Sequence, residues 1–122
     1  MPGPNDPIYL RDGRCVRCGE RPNTVQHRIH GNRKDRRPSN LLSACMGPGT
    51  KDCHSWMEAN REAAAQCGWE CSKFAPGGGM TDTAAAPVWM PWGLLGKGWY
   101  LLPDDGGMAV LCDPQPDPPH LF

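Results

Sequence analysis

The sequence is poor in the large side chains that build a hydrophobic core. Its 122 residues include only two Phe and two Tyr, against 15 Gly and 14 Pro. A chain of this size and composition buries only a thin core and usually needs a staple, which is a disulfide, a metal ion or an oligomer partner. No apolar run approaches the ~20 residues of a membrane span, and the N-terminal segment MPGPNDPIYLRDGR has no apolar signal core. We therefore expect a small intracellular, cytoplasmic protein, and the strands and helix predicted below make it an α+β protein.

The cysteine content lacks the even number that a complete disulfide framework requires. There are seven cysteines, so full pairing would leave one thiol over. This count and the missing signal core disfavour a secreted disulfide protein. In a reducing compartment, clustered cysteines more often bind a metal ion. A metal is therefore the expected staple.

Four of the cysteines have the spacing of a structural zinc site. Cys15 and Cys18 form a C-x2-C knuckle followed by Gly19, and Cys45 and Cys53 supply a second pair across a loop. Four thiolates make a closed, tetrahedral zinc site. A redox pair and unrelated buried thiols are the alternatives, but no thioredoxin-like strand and helix surround the first pair. Ordinary buried or partly buried thiols are expected at the other three positions, Cys67, Cys71 and Cys112.

The net charge is zero, but the charges are unevenly distributed. Residues 11–40 contain nine basic and three acidic side chains, whereas residues 76–122 contain one basic and five acidic side chains. A basic N-terminal half indicates a phosphate-bearing partner, and the acidic half offsets it in the total. The alternative is a solvated, charged loop without a ligand.

Composition divides the chain into five segments. We predict an irregular arm over residues 1–10, a module over 11–75, a Gly/Ala-rich linker over 76–86, short strands within 87–112 and a Pro-rich tail over 113–122. The acidic half therefore follows the basic module as a separate, strand-containing segment.

The acidic segment is expected to form a small sheet. Strands are predicted at 87–90, 98–102 and 108–112, with hairpin turn residues at 104–107. Its tryptophans could pack this sheet onto the module or dock a protein partner, and core packing is favoured. These tryptophans are Trp89, Trp92 and Trp99.

The module is expected to contain two strands and one helix. The strands are predicted at 24–29 and 40–44, and the helix runs from about residue 55 to residue 67, where Gly68 ends it. One helical stripe should face the core. The stripe consists of Trp56, Ala59, Ala63 and Cys67.

The order of the motifs resembles a known family. Cys15-x2-Cys18 is followed by Gln26-His27-Arg28, then by Asn40-Leu-Leu, then by Cys45 and by Cys53-His54 at a helix start. This set, over residues 15–69, resembles the HNH endonucleases with their ββα-metal fold, in particular the small HNH proteins of bacteriophages. The resemblance implies a DNA endonuclease, which is a phosphodiester hydrolase, in the host cytoplasm. It also implies a role beside the genome-packaging terminase, with mobile-element homing as an alternative.

The resemblance also implies roles for individual residues. His27 would be the general base, Asn40 would orient its ring, and His54 would bind a catalytic Mg²⁺ or Mn²⁺. A histidine suits the first role because its ordinary pKa lies near neutrality. Arg28 would hold a phosphate. Gln26 departs from the family, which places Asp or His there as a second metal ligand; a glutamine oxygen binds a hard cation more weakly or through water.

Two further side chains have more than one interpretation. Glu58 follows His54 by four residues on the same helical face, so it is either another metal ligand or the partner of Ser55 in a capping box. His30 is an alternative ligand or, as we favour, a loop residue near phosphate. His120, in the Pro-rich tail, is expected to have no role.

A second class of function fits much of the sequence. A zinc-stapled DNA-binding or adaptor module without catalysis would also have the C-x2-C knuckle and the basic stretch. Such a module has no need for His27, Asn40 and His54 together. The trio therefore favours the nuclease.

Overall fold

The computed structural model describes residues 3, 6–30, 34–112 and 115–119 of the chain. Two short antiparallel sheets and three short helices form a small mixed helix-and-sheet fold, as the sequence predicted. None of the helices in these ranges is long and apolar enough to cross a membrane. In chain order the elements are α1 (Pro7–Asp12), β1 (Thr24–His27), β2 (Leu41–Ala44), α2 (Cys53–Ala59), α3 (Arg61–Gln66), β3 (Val88–Met90), β4 (Gly98–Leu101) and β5 (Val110–Leu111), with 3₁₀ turns at Pro38–Asn40 and Thr83–Ala85.

Strands β1 and β2 form the hairpin around which the module is built. They are antiparallel, and their register runs from Thr24 opposite Ala44 to His27 opposite Leu41. All four residues of β2 are buried, because the strand is covered on both faces. The predicted strands are confirmed, although β1 ends at His27 rather than at residue 29.

The predicted irregular arm over residues 1–10 is wrong from Pro7 onwards, because that residue begins helix α1. The Asp6 carboxylate accepts a hydrogen bond from the Ile8 amide at 2.9 Å, and Pro7 is well suited to the first helical position. Ile8 and Tyr9 are both buried. Pro7 therefore marks the start of a helix rather than an irregular segment.

A buried ion pair fastens α1 to β2. The Arg11 guanidinium lies 2.7 Å from Asp12 and also donates to the Pro38 and Leu41 carbonyls at 2.8 and 2.6 Å. Asp12 in turn accepts the Ser43 amide at 2.8 Å. Every charge in this contact has a buried partner, which is the condition under which buried ions are tolerated.

The single helix predicted over residues 55–67 is two helices, α2 and α3, that meet at Asn60. The Asn60 backbone leaves the helical region (φ −123°, ψ 55°), and its side chain donates to the Trp56 carbonyl at 2.9 Å. Asparagine competes with the helical backbone in this way. The predicted end at Gly68 is confirmed: its φ is +72°, and Trp69 N bonds Ala64 O, as in a Schellman motif.

The break at Asn60 shifts the buried face of the helical segment. Cys67 is buried as predicted, but Ala59 is exposed, and Trp56 and Ala63 are only half-buried. The stripe prediction is therefore wrong in part, since it assumed one continuous helical phase. Within residues 55–67 the buried residues are Met57, Ala64 and Cys67.

The acidic half contains a three-stranded antiparallel sheet in the order β3-β4-β5. This matches the predicted strands, although β5 has only two residues. Trp89 is buried and pairs with Trp99 at a centroid distance of 5.6 Å, and the Trp69 indole donates to the Trp89 carbonyl at 2.8 Å. Trp92 is 48% exposed. Residues 115–119 have no regular structure, and His120 lies outside the described residues.

Candidate metal centre and nuclease site

The four predicted zinc ligands come together. The sulfur atoms of Cys15, Cys18, Cys45 and Cys53 all lie within 4.8 Å of one another. Three of these residues are fully buried, and Cys18 is partly exposed. Cys18 Sγ is 3.7 Å from Cys45 Sγ, close to the ~3.8 Å that a tetrahedral site with Zn–S bonds of ~2.3 Å requires. The cluster could therefore hold a metal such as zinc.

Local backbone structure brings the two cysteine pairs together. Gly19 has a φ of +76° and donates its amide to Cys15 O at 3.0 Å, which closes the knuckle. The Val16 amide bonds Ser43 O and so docks the knuckle on β2. The His54 amide bonds Cys45 O at 3.0 Å, which joins the end of β2 to the start of α2. The knuckle, the hairpin and α2 therefore meet at the cluster.

The thiols of the cluster hinder one another's ionisation, because each thiolate disfavours a second one nearby. A hydrogen bond from Cys53 lowers the pKa of Cys15 to about 5, whereas burial raises the pKa of Cys18 to about 11. The pKa of Cys53 is raised, chiefly because its thiol donates to Cys15. A bound divalent cation would allow every ligand to ionise, because it favours the thiolate form.

The other three cysteines lie outside the cluster, as predicted. Cys67 is buried, and burial raises its pKa to about 11. Cys71 and Cys112 are partly buried. Burial also raises the pKa of Cys71. Raised values are typical of unreactive structural thiols.

His27 is the last residue of β1 and is half-buried opposite Leu41. An acidic neighbour, Asp35, was not singled out from the sequence. Hydrogen bonds from Arg37 are the main cause of the lowered pKa of Asp35, and the charge of His27 contributes to it. Asp35 is therefore bound chiefly to Arg37 and lies within electrostatic range of the candidate base. Its only sequence signal is its place among the arginines of the basic loop.

Asn40 fixes the loop beside His27 through the backbone. Its side chain is fully buried; Oδ1 accepts from the Ile29 amide at 2.9 Å, and Nδ2 donates to the Asp35 carbonyl at 2.9 Å. The resemblance implied that Asn40 orients the His27 ring. These two bonds instead hold the chain on either side of the loop, so the effect of Asn40 on the ring is indirect.

Arg28 does not have the predicted role of phosphate ligand. It is fully buried, and its guanidinium donates to the carbonyls of Gly68 at 2.8 Å and of Ser39, Thr83 and Ala86 at 2.9 Å. Burial also lowers its pKa. A side chain that is enclosed and saturated in this way cannot reach a DNA backbone, and it instead joins β1 to both 3₁₀ turns.

His54 and Gln26 present acceptor atoms that no described residue satisfies. His54 Nε2 lies 3.2 Å from Glu58 Oε1, while Nδ1 is buried and has no hydrogen-bond partner within the described ranges. Gln26 is 93% buried, since its exposure is 7%, and its Oε1 likewise lacks a partner there. A nitrogen and an oxygen lone pair of this kind fit a divalent cation.

The capping-box interpretation of Glu58 is wrong. Helix α2 begins at Cys53 after Asp52, so Ser55 lies inside the first turn and is not the N-cap. The Glu58 carboxylate instead contacts His54. In the described chain, no other group of three His, Cys, Asp or Glu side chains brings its ligand atoms as close together as the cysteine cluster does.

The basic loop is exposed where the structure describes it. His30, Lys34 and Arg36 are exposed, whereas Arg37 is bound to Asp35 at 2.7 Å. Arg33 lies outside the described residues. Lys34 and Arg36 are therefore accessible cations in the loop that follows the His27 strand, and His30 is accessible as the favoured interpretation requires.

No protein-family model, curated protein or solved structure matches the chain. The functional interpretation therefore rests on the residues and geometry of this chain. The strongest elements are the four-cysteine cluster and the unsatisfied acceptors of Gln26 and His54.

Proposed function

We propose that the chain is a metal-dependent DNA endonuclease of the HNH type, stapled by a structural zinc. The observation that carries the proposal is the buried Nδ1 of His54, which no described residue satisfies, while Nε2 of the same ring is held by Glu58. A structural histidine in a protein interior normally has its polar atoms hydrogen-bonded. A lone pair that is left over in a fixed ring suits a metal ligand.

The order of the elements supports the same proposal. Strands β1 and β2 pair as a hairpin, and α2 follows with its first residues bonded to the end of β2. Gln26 and His27 end the first strand, and His54 is the second residue of the helix. This order of two paired strands followed by a helix supports the proposal of a ββα-metal module.

The chemistry assigns a separate task to each residue. Gln26 and His54 would hold Mg²⁺ or Mn²⁺, which when bound would supply positive charge for the phosphate and the leaving oxygen. His27 would take a proton from the attacking water as general base. Asn40 and Asp35 would keep its loop in place, and Arg28 would serve the fold instead of the phosphate.

DNA would be held by the exposed cations of the basic loop. Lys34 and Arg36 are accessible and form no ion pair with an acidic side chain in the described part of the chain, whereas Arg37 is paired with Asp35. Contacts of this kind bind the phosphate backbone without reading sequence. The cytoplasmic location and the packaging role beside a terminase remain predictions from the resemblance.

A non-catalytic adaptor is the second candidate. Two observations favour it: Arg28 is turned away from solvent, and the described residues contain no three-ligand cluster besides the cysteines. The experiment that separates the two is plasmid nicking by purified protein with Mg²⁺, with Mn²⁺ and with neither. The nuclease requires divalent-dependent nicking that is lost on His54→Ala. DNA binding without nicking at any metal concentration would favour the adaptor.

A further inference from the structure

A cationic side chain lies against the cysteine cluster, within the knuckle itself. Arg17 stands between Cys15 and Cys18 in the sequence, and its Nη1 donates to Cys53 Sγ at 3.4 Å. The carbon of the same guanidinium lies 3.9 Å from the centroid of the Trp56 ring. One group thus joins the knuckle to two residues of α2.

The charge of the centre gives this contact a chemical meaning. Four thiolates around a divalent ion carry a net charge of −2, in a site where three cysteines are fully buried. A hydrogen bond from a cation to a ligand sulfur offsets part of that charge and occupies a lone pair that an acid or electrophile would attack.

The Trp56 ring fixes the guanidinium in place. A cation over an aromatic face is attracted to it, and Arg stacks in this way more readily than Lys. Trp56 in turn meets Trp69 edge-on, with centroids 6.3 Å apart and an interplanar angle of 74°. The guanidinium is therefore held between a core-packed ring and the sulfur.

We propose that Arg17 is a positioning residue that controls how tightly the cysteine centre retains its metal, through its hydrogen bond to Cys53. The proposal rests on the four-thiolate metal centre and is independent of nuclease activity. On composition alone, Arg17 would instead be counted among the residues that bind DNA.

The test compares zinc retention in matched variants. Arg17→Met keeps the aliphatic chain and removes the cation. Arg14→Met is the control, because Arg14 belongs to the same turn, is exposed and donates only weakly, at 3.4 Å, to the Gly19 carbonyl. Zinc release to a chromogenic chelator is measured for each zinc-loaded protein. We expect release about 10-fold faster for Arg17→Met, the lower end of the range for groups that support metal ligands, and a wild-type rate for Arg14→Met.

A spectroscopic readout separates tuning of the sulfur from loss of packing. In cobalt-substituted protein, the thiolate-to-metal charge-transfer band should move to lower energy in Arg17→Met, because a thiolate without its hydrogen bond is a better electron donor. Arg14→Met should leave the band unchanged. Equal rates and bands for the Arg17 and Arg14 variants would overturn the proposal.

A third variant, Arg17→Lys, tests the proposal if Arg17→Met does not fold. Arg17→Lys keeps the charge but replaces the fixed planar donor with a flexible point charge, so its release rate should exceed that of the wild type by a smaller factor. A lysine variant that retains zinc as well as the wild type would overturn the role of the guanidinium. If the wild-type protein binds neither zinc nor cobalt, the metal centre itself is wrong, which is a distinct result.

Discussion

Glu58 Oε1 lies 3.2 Å from His54 Nε2, one helical turn along α2. A carboxylate at this distance accepts a hydrogen bond from the protonated Nε2, which leaves the Nδ1 lone pair available. Metal-binding histidines commonly donate their second ring nitrogen to a carboxylate, which fixes the tautomer and the ring orientation. Glu58 therefore acts in our proposal as the support of a ligand, a third role beside the ligand and capping roles considered from the sequence.

The role of Glu58 leads to the first prediction. Glu58→Ala should raise the Mn²⁺ concentration needed for half-maximal nicking by about 10-fold, because the His54 ring loses its support. Its thermal stability should change little, since Glu58 is 48% exposed. Glu62→Ala, at an exposed position on α3, is the control. An unchanged metal requirement with Glu58→Ala would remove this role.

The second prediction concerns the zinc staple. Purified protein should contain about one zinc per chain, and removing it with a strong chelator should unfold the module, since binding free energy of structural zinc is folding free energy. Elemental analysis and circular dichroism measure the two quantities. Cys45→Ser should lose the zinc, whereas Cys112→Ser, outside the cluster, should retain it. A zinc-free protein with full helicity would contradict the staple.

The third prediction tests whether Arg28 stabilises the fold or binds a phosphate of DNA. Arg28→Met should lower the free energy of unfolding by about 3 kcal/mol or more, because four carbonyls lose their buried donor. Urea unfolding measures this change. Arg36→Met, at an exposed position, should cost less than about 0.5 kcal/mol. Should Arg28→Met keep full stability and weaken only DNA binding, Arg28 would be a phosphate ligand after all.

The fourth prediction concerns DNA binding by the basic loop. Affinity should fall as salt rises, with little dependence on DNA sequence, and Lys34→Gln with Arg36→Gln should flatten that slope by about one to two counterions. Arg37→Gln should have a smaller effect, because this side chain is already paired with Asp35. Fluorescence anisotropy at several salt concentrations gives the slopes. Identical slopes for all these proteins would mean that the loop is merely solvated.

Features that depend on local spacing could be predicted from the sequence. The C-x2-C knuckle, the two strands around the basic loop and the glycine that ends the helical segment are all encoded within a few residues. Coordination chemistry then requires Cys45 and Cys53 to join the first pair. For this reason the cysteine cluster was predictable without knowledge of the tertiary contacts.

Features that depend on distant contacts could not be predicted. The carbonyls that receive Arg28 belong to residues 11, 40, 55 and 58 positions away, so nothing beside Arg28 indicates that it is buried. Similarly, α1 is held by an ion pair whose other hydrogen-bond partners lie on β2 and on the 3₁₀ turn before it. The break at Asn60 has a local cause, the hydrogen bond from its side chain to Trp56 O. A continuous helix is a close alternative at such a residue, so the sequence did not indicate the break.

The most direct test of the proposed function is the nicking rate of His27→Ala. Loss of a positioned general base typically lowers the rate about 10²–10⁴-fold. His27→Ala should therefore nick plasmid DNA at least about 100-fold more slowly, with zinc content, stability and DNA affinity near those of the wild type. High Mn²⁺ should partly restore His54→Ala, which has lost a metal ligand, and should not restore His27→Ala. Nicking by His27→Ala at the wild-type rate would contradict the nuclease assignment.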